Sequence, residues 1–440
     1  MKFYNRVSEL AELRRIQNLS FNDHSRLTVV TGRRRIGKTS LIMKSVEDLP
    51  TVYLFVGRKN ETTLCSEFIP VIAQSLDVFV PNEIRTFRSL FQYLMELAVN
   101  KPFNLVIDEF QEFYNINESV YSDMQNIWDS YRKKSRMNLI VSGSIYSLMQ
   151  KIFQHSKEPL FGRADNIIKL SAFDLSTLKE IIHDYRPQYI NDDLLALYSF
   201  TGGIPKYVEL FCDNGALSVD EMINFMIREN SPFTDEGKNL LIEEFGKNYA
   251  TYFSILSAIS GGINTQPEIE SALGNKSAGG QLKRLIEDYN IIIRQRPILA
   301  KEGSQTVRYE IQDNFIRFWF NYFDRYRFLI EIKNFVGLQS IIKSDYPTYS
   351  GKLLEFYFKQ QFAESFQYQT IGSWWEPKDS QNEIDIVALK LEKNQAVVAE
   401  IKRQKKNFKP ELLAAKVEHL KHKLLPKYRI GTICLSLEDM

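Results

Sequence analysis

Cysteine is scarce in this chain: Cys65, Cys212 and Cys434 are the three in 440 residues, far apart and in no paired spacing. That excludes a disulfide framework and speaks against a structural zinc site, and it fits a reducing compartment. Long apolar runs are missing too. No stretch approaches the roughly 20 residues needed to span a bilayer, so no membrane partner is expected. The opening residues, MKFYNRVSELAELRR, hold no apolar signal-peptide core, and the expected location is cytoplasmic. Internal repeats and low-complexity tracts are absent. Neither sign of charge is in excess, with a formal net charge of +2. The molecule is no polycation, and contact with nucleic acid must come from a local patch. What the chain has in quantity is aromatic side chains, 30 Phe and 22 Tyr. Its length points to two or three domains.

Residues 1–170 alternate short apolar runs with amphipathic stretches. The runs are RLTVVTG (26–32), TVYLFVG (51–57), FNLVIDEF (103–110), MNLIVSGS (137–144) and NIIKLSAF (166–173). Brief β-branched segments between helical patterns predict an α/β core, a parallel sheet with helices on both faces. Residues 174–235 read as helical, broken at Gly202-Gly203-Ile204-Pro205. From 240 to 325 the order is helices, then two strands (IIIRQRPI and QTVRYEIQD), which suits a winged helix. The aromatic run FIRFWFNYFDRYRFL (315–329) follows. A last α/β unit is expected over roughly 345–440, with a helix near 351–366, strands near 384–390 and 396–402, a helix near 410–423 and a strand near 429–436.

One segment carries explicit chemistry. TGRRRIGKTS (31–40) places Gly32 four residues before Gly37-Lys38-Thr39, between an apolar strand and a helix. Glycines let a backbone curl so that its N–H groups face a phosphate; a lysine reaches the β/γ oxygens; a hydroxyl binds Mg²⁺. The cradle therefore comprises Gly32, Arg33, Arg34, Arg35, Ile36, Gly37, Lys38, Thr39 and Ser40, with the three arginines read as solvated loop charge. ATP or ADP with Mg²⁺ is the expected ligand. NLVIDEF supplies the other half: Asp108 at the end of a buried strand would orient the metal, and Glu109 would polarise an attacking water.

With these motifs the first 330 residues resemble the prokaryotic STAND branch of AAA+ ATPases. FYNRVSELAEL resembles its adenine-side motif, with Arg6 and Glu9 in place. LIVSGS resembles the sensor strand, with Ser142 or Ser144 near the γ-phosphate. EPLFGRADNI resembles a Leu-Tyr/Phe-Gly-Arg motif, which makes Arg163 a γ-phosphate or partner-site arginine. TGGIPKY matches a Gly-Gly-x-Pro signature near the adenine, implicating Gly203 and Pro205. A P-loop kinase is a weaker reading, because no acceptor-substrate pocket stands out.

The carboxy-terminal chemistry is different. Asp385 lies 15 residues before Glu400, room for a strand, a turn and most of a second strand. Glu400 and Lys402 are two apart and share a strand face. Glu355 sits on an apolar helix upstream. Phosphodiester hydrolysis needs carboxylates that hold a divalent metal and a nearby cation. Asp385 and Glu400 would hold Mg²⁺ or Mn²⁺, Glu355 would complete the shell, and Lys402 would orient water or stabilise charge. About the last 95 residues thus resemble the restriction-endonuclease-like (PD-(D/E)xK) fold, with Ile384-Asp385 replacing Pro-Asp. Between Glu400 and Arg429 ten Lys/Arg face three Glu, 10 − 3 = +7. DNA is the expected partner of this segment, with Lys276, Lys283 and Arg284 of the winged helix as further contacts. The whole is expected to comprise a P-loop ATPase core (1–172), a helical lid (173–238), a winged helix-like domain (239–330) and a nuclease-like domain with its linker (331–440). It reads as an ATP-driven switch coupled to a DNA nuclease, or to a nuclease fold that binds without cutting. A homo-oligomer or a trigger protein would be further partners.

Overall fold

A computed structural model describes residues 1–246, 249–301, 303–376 and 379–440. The chain forms two compact units, Tyr4–Ala172 and Phe173–Met440, the latter taking in Met1–Phe3. Among the described residues no helix is long and apolar enough to cross a membrane.

The first unit holds a five-stranded sheet: β1 (Arg26–Thr31), β2 (Thr51–Phe55), β3 (Phe103–Asp108), β4 (Met137–Gly143) and β5 (Asn166–Lys169). Their order is β2-β3-β4-β1-β5, and every neighbouring pair is parallel. Every residue of β3 and β4 is buried. That is why these strands read as unbroken apolar runs rather than as alternation. The flanking helices start where side chains cap them: Asn60 accepts the Thr63 N–H, and Thr86 the Ser89 N–H. Asn104 and Asn138 are buried as well, and Asn138 Nδ2 donates to Asn104 Oδ1 at 2.8 to 2.9 Å along with Gln17 Nε2. Because β4 and β1 lie side by side, the carboxyl ends of β3, β4 and β1 converge, the place where open α/β sheets hold ligands.

The second unit begins with helices Leu175–Tyr185, Asn191–Thr201, Pro205–Asp213 and Val219–Met226. Helices Tyr249–Ser260, Gln266–Ala272 and Gly279–Glu287 then lead into an antiparallel hairpin, β6 (Ile292–Gln295) and β7 (Arg308–Ile311). Most of the aromatic run is buried, although Phe328 is exposed. Phe315, Phe318, Trp319, Tyr322 and Phe323 are almost fully covered, with Tyr207 and Phe315 rings 4.2 Å apart. The last sheet comprises β8 (Thr370–Glu376), β9 (Asp379–Lys390), β10 (Gln395–Ile401) and β11 (Arg429–Leu435), in the order β11-β10-β9-β8. β9 is antiparallel to both of its neighbours, β8 and β10. β11 is parallel to β10, reached through helix Pro410–Lys423.

Two expectations need correction here. The helix placed near 351–366 is one 30-residue helix, Phe335–Glu364, running through Pro347. Apolar positions on several sides of it meet different neighbours, so no single stripe marks its start. Strand β8 was not expected at all. It buries only Trp374 and Trp375 and breaks register at Gly372/Trp374 and Trp374/Glu376, so it shows no period-two pattern.

Candidate functional site

The loop 32–37 leaves β1 by conformations that few residues tolerate. Gly32 has φ 151°, and a Cβ there would lie 2.8 Å from the Leu170 carbonyl oxygen. Arg35 (φ 67°) and Gly37 (φ 86°) are left-handed, and Gly37 directly precedes helix Lys38–Ser45. The loop thus curls over a helix N-terminus, where unpaired N–H groups and the helix dipole favour an anion. Lys38 is buried, and its ammonium donates to the carbonyls of Gly32 (2.9 Å) and Arg33 (3.1 Å). Ile36 is buried and Ser40 exposed. The arginines are not uniformly solvated: Arg34 is exposed, whereas Arg33 and Arg35 are half-buried against the curled loop.

Asp108, at the end of β3, gathers the sheet's polar groups. Its Oδ2 accepts from Thr39 Oγ1 (2.8 Å) and Tyr53 Oη (2.7 Å), and its Oδ1 from Ser142 Oγ and the Glu109 N–H. Burial pushes this carboxyl up, but the hydrogen bonds from Ser142, Tyr53, Thr39 and Glu109 outweigh it, holding Asp108 below the usual carboxylate range. An ionised carboxylate touching a loop hydroxyl fits Mg²⁺, which takes one or two such oxygens together with phosphate. Glu109 is left-handed, at φ 53°. Its Oε2 accepts from Gln111 Nε2 (2.6 Å), Ser144 Oγ (2.7 Å) and the Ser144 N–H (3.3 Å). Tyr53 and Gln111 were missed in the sequence. Tyr53 reads as one more apolar strand residue, and Gln111 lies in a turn with no pattern.

Arg6, itself left-handed at φ 69°, is buried; it pairs with Glu9 at 3.2 Å and donates to the Ser171 carbonyl at 2.5 Å. Arg163 instead forms a surface ion pair with Asp129 at 3.1 Å and donates to the Phe161 carbonyl. Gly203 (φ 74°) and Pro205 lie in the second unit, where Pro205 opens helix Pro205–Asp213.

The second unit brings Glu355, Asp385, Glu400 and Lys402 into one electrostatic cluster. Asp385 lies on β9, and its Oδ2 accepts the Ile401 N–H of β10 at 2.7 Å. Lys402 Nζ lies 2.8 Å from Glu400 Oε1. Burial, then the charges of Glu355 and Glu400, push Asp385 up to about 6 against the opposing pull of Lys402. Lysines absent from the sequence reading complete the cluster. Lys416 reaches Glu400 at 3.2 Å, and Lys352 reaches Glu355 at 2.8 Å. The Lys359 ammonium is pushed down by burial although Glu355, Glu310 and Asp385 act against this. Among the described residues no three His, Cys, Asp or Glu side chains form a group that could hold a metal ion. As placed, each carboxylate is held by a donor of the chain, and the cluster does not fit a resident metal. Around helix Gly279–Glu287, Lys276 is exposed, Lys283 pairs with Glu287 at 3.7 Å, and Arg284 hydrogen-bonds Tyr252.

A glycine loop between β1 and a helix, facing an acid at the end of a parallel strand, defines a P-loop ATPase. Residues 3–211 match an ATPase domain found predominantly in Archaea, and residues 319–413 a family of archaeal and bacterial proteins of unknown function. An uncharacterized protein of Methanocaldococcus jannaschii is 30% identical over 405 residues, 90% of this chain and 87% of that protein. The chain belongs to this family of archaeal-type ATPases. Its fold is similar to a Walker-type ATPase of Pyrococcus abyssi (TM-score 0.51, 18% identity, 72% of this chain and 96% of that one). It is similar also to the ORC2 protein of Aeropyrum pernix, solved in ADPNP and ADP complexes (TM-score 0.51, 16% identity, 78% and 96%).

Proposed function

We propose that the chain is an ATP-hydrolysing switch whose second unit engages DNA. The observation that carries the nucleotide half is the Thr39–Asp108 contact of 2.8 Å below a curled loop with Lys38 at its centre. In this reading Lys38 draws the β/γ oxygens, Thr39 and Asp108 hold Mg²⁺, and Glu109 orients the attacking water once Ser144 and Gln111 release it. Arg6, Gly203 and Pro205 serve the adenine side. Arg163 serves a partner's site only in a homo-oligomer, after leaving Asp129.

For the DNA half we read residues 173–238 as a helical lid, 239–330 as a winged helix and 331–440 as a restriction-endonuclease-like domain. Three helices followed by a hairpin support the winged helix, and Lys276, Lys283 and Arg284 would meet the backbone there. The favoured role of the last domain is binding, because Glu355 and Glu400 are taken by lysines and Asp385 by the Ile401 N–H. A metal-dependent nuclease using Mg²⁺ or Mn²⁺ is the second reading. It is favoured by the helix–three-strand–helix–strand order and by Asp385 of β9 lying beside Glu400 and Lys402 at the end of β10.

Supercoiled plasmid, incubated with Mg²⁺ or Mn²⁺ and with or without ATP, separates the two. Retarded but uncut plasmid, with retardation that changes with ATP, supports binding. Nicking that Lys402→Ala abolishes supports the nuclease. Neither retardation nor nicking would remove DNA from the account.

A further inference from the structure

The last sheet of the second unit has two edges, and they differ. Edge strand β8 is bulged twice against β9, at Gly372/Trp374 and Trp374/Glu376, and its Ser373 carbonyl accepts the Ile298 N–H at 2.8 Å. Bulges and cover of this kind stop an edge from pairing further. Edge strand β11 has neither. It runs parallel to β10 in unbroken register, from Arg429 beside Gln395 to Leu435 beside Ile401. Its sequence, RIGTICL, holds no proline and no charge after Arg429. Gly431, Thr432 and Ile433 are exposed, Ile433 by 42%.

Two bonds fix the direction of the backbone groups. The Arg429 N–H donates to the Asn394 carbonyl at 2.8 Å, and the Leu435 carbonyl accepts the Lys402 N–H at 3.0 Å. Successive residues of a strand turn their N–H and C=O to opposite sides. Residues 429, 431, 433 and 435 therefore face β10, while Ile430, Thr432 and Cys434 present their N–H and C=O groups outward. Among the described residues no hydrogen bond reaches these outward groups. Such a row is a template for another strand. The segment also complements itself when reversed. Lys427 and Arg429 are exposed at one end of it, Glu438 and Asp439 at the other. Antiparallel pairing of two copies brings these opposite charges together, whereas parallel pairing sets like against like.

We propose that β11 is a dimerisation edge: two copies of the chain join their β11 strands antiparallel, about a twofold axis at Thr432, into one continuous sheet. This register uses every outward group of the strand. Ile430 of one copy faces Cys434 of the other, Thr432 faces Thr432, and Cys434 faces Ile430. Each of these pairs exchanges two N–H···O bonds, 3 × 2 = 6 across the join. Between them Gly431 of each copy stands opposite Ile433 of the other, so the missing side chain leaves room for an exposed apolar one. Lys427 of each copy lies opposite Leu437 of the other, next to Glu438. One patch paired with itself is the geometry of a twofold dimer. The pairing requires neither nucleotide nor DNA.

The test is sedimentation equilibrium of the full chain at micromolar concentrations, with no ligand added. The wild type is expected at twice the chain mass of 51.4 kDa. Thr432→Pro removes an outward N–H without touching a bond to β10, and Ile433→Lys sets a charge at the join. Each is expected to raise the dimer dissociation constant at least tenfold with circular dichroism unchanged. Ile433→Lys, at an exposed position, decides if the proline variant does not fold. A third variant reads the register. With Cys434→Ser in place and Cys65 and Cys212 buried, Thr432→Cys puts its two copies about 5.5 Å apart between Cα atoms. A disulfide spans that distance, so mild oxidation should link the chains. A wild type that stays monomeric overturns the proposal, leaving the edge to a strand of another protein, and that result requires no variant to fold. A dimer that survives Ile433→Lys, or whose Thr432→Cys chains do not link, is built elsewhere and overturns it as well.

Discussion

Lys38 and Glu109 are one helix start and one strand end of the same site, yet their substitutions should differ. Lys38 is the cation of the loop, so Lys38→Ala is expected to weaken binding of a fluorescent ATP analogue at least tenfold, on the order of 1.4 kcal/mol. Glu109→Gln keeps the loop and removes the water-orienting carboxylate. It should bind ATP as tightly as the wild type while hydrolysis falls by about 10²–10⁴. Asp385 gives a prediction of opposite kind. Its carboxyl is raised to about 6 in the fold, against about 3.9 in an unfolded chain. The ionised form therefore costs stability above about pH 6, and the cost fades as pH falls towards 4, where both states are protonated. Asp385→Asn, whose amide oxygen still accepts the Ile401 N–H, should stabilise the second unit at pH 7.5 by about 1–3 kcal/mol and lose that gain near pH 4. Chemical denaturation at both pH values checks it. At this scale the sequence was readable where chemistry forces spacing: Gly32, Gly37, Lys38, Thr39 and Asp108 announce themselves. Tyr53, Gln111, Lys352, Lys359 and Lys416 do not, because what recruits them is proximity across strands and helices, which no spacing along the chain records.

Among the elements, the buried parallel strands were the most legible, since a strand covered on both faces must be an apolar run. Helix Phe335–Glu364 was legible only in its second half. It packs along the helices at the start of the second unit and against the last sheet: Tyr346 Oη lies 3.0 Å from Asp192 Oδ1, and Tyr198 Oη donates to Gln360 at 3.1 Å. Arg403, directly after Lys402, pairs with that same Asp192 and with Ser350. A helix serving several neighbours carries no single apolar stripe, and its length was underestimated for that reason. Leu354, fully buried on it, is a probe of this role. Leu354→Ala is expected to cost about 2–5 kcal/mol and to lower the melting of the second unit, followed by near-ultraviolet circular dichroism, while ATP-analogue affinity is retained. Edge strand β8 went unseen because its bulges break the alternation a sequence would display.

At the scale of the molecule, a nearly neutral chain has a net charge of +7 between Glu400 and Arg429, the segment expected to meet DNA. DNA affinity should therefore fall steeply with salt. Replacing Lys421 and Lys423 by Gln should reduce the slope of log K against log salt by about 2 × 0.9, measured by fluorescence anisotropy, while the ATPase rate in the absence of DNA stays unchanged. The class of the first unit was evident from its sequence because phosphate binding constrains residues consecutive in the chain. The second unit's chemistry was only half legible: the carboxylates were in view, and the lysines that neutralise them were not.

The most direct test is steady-state ATP hydrolysis by the full chain, with and without duplex DNA, beside Lys38→Ala and Glu109→Gln. The account predicts Mg²⁺-dependent hydrolysis in the wild type, a rate that changes at least twofold when DNA is added, and loss of hydrolysis in both variants with binding kept only in Glu109→Gln. Hydrolysis that persists in Lys38→Ala, or a wild-type rate indifferent to DNA that demonstrably binds, would contradict it.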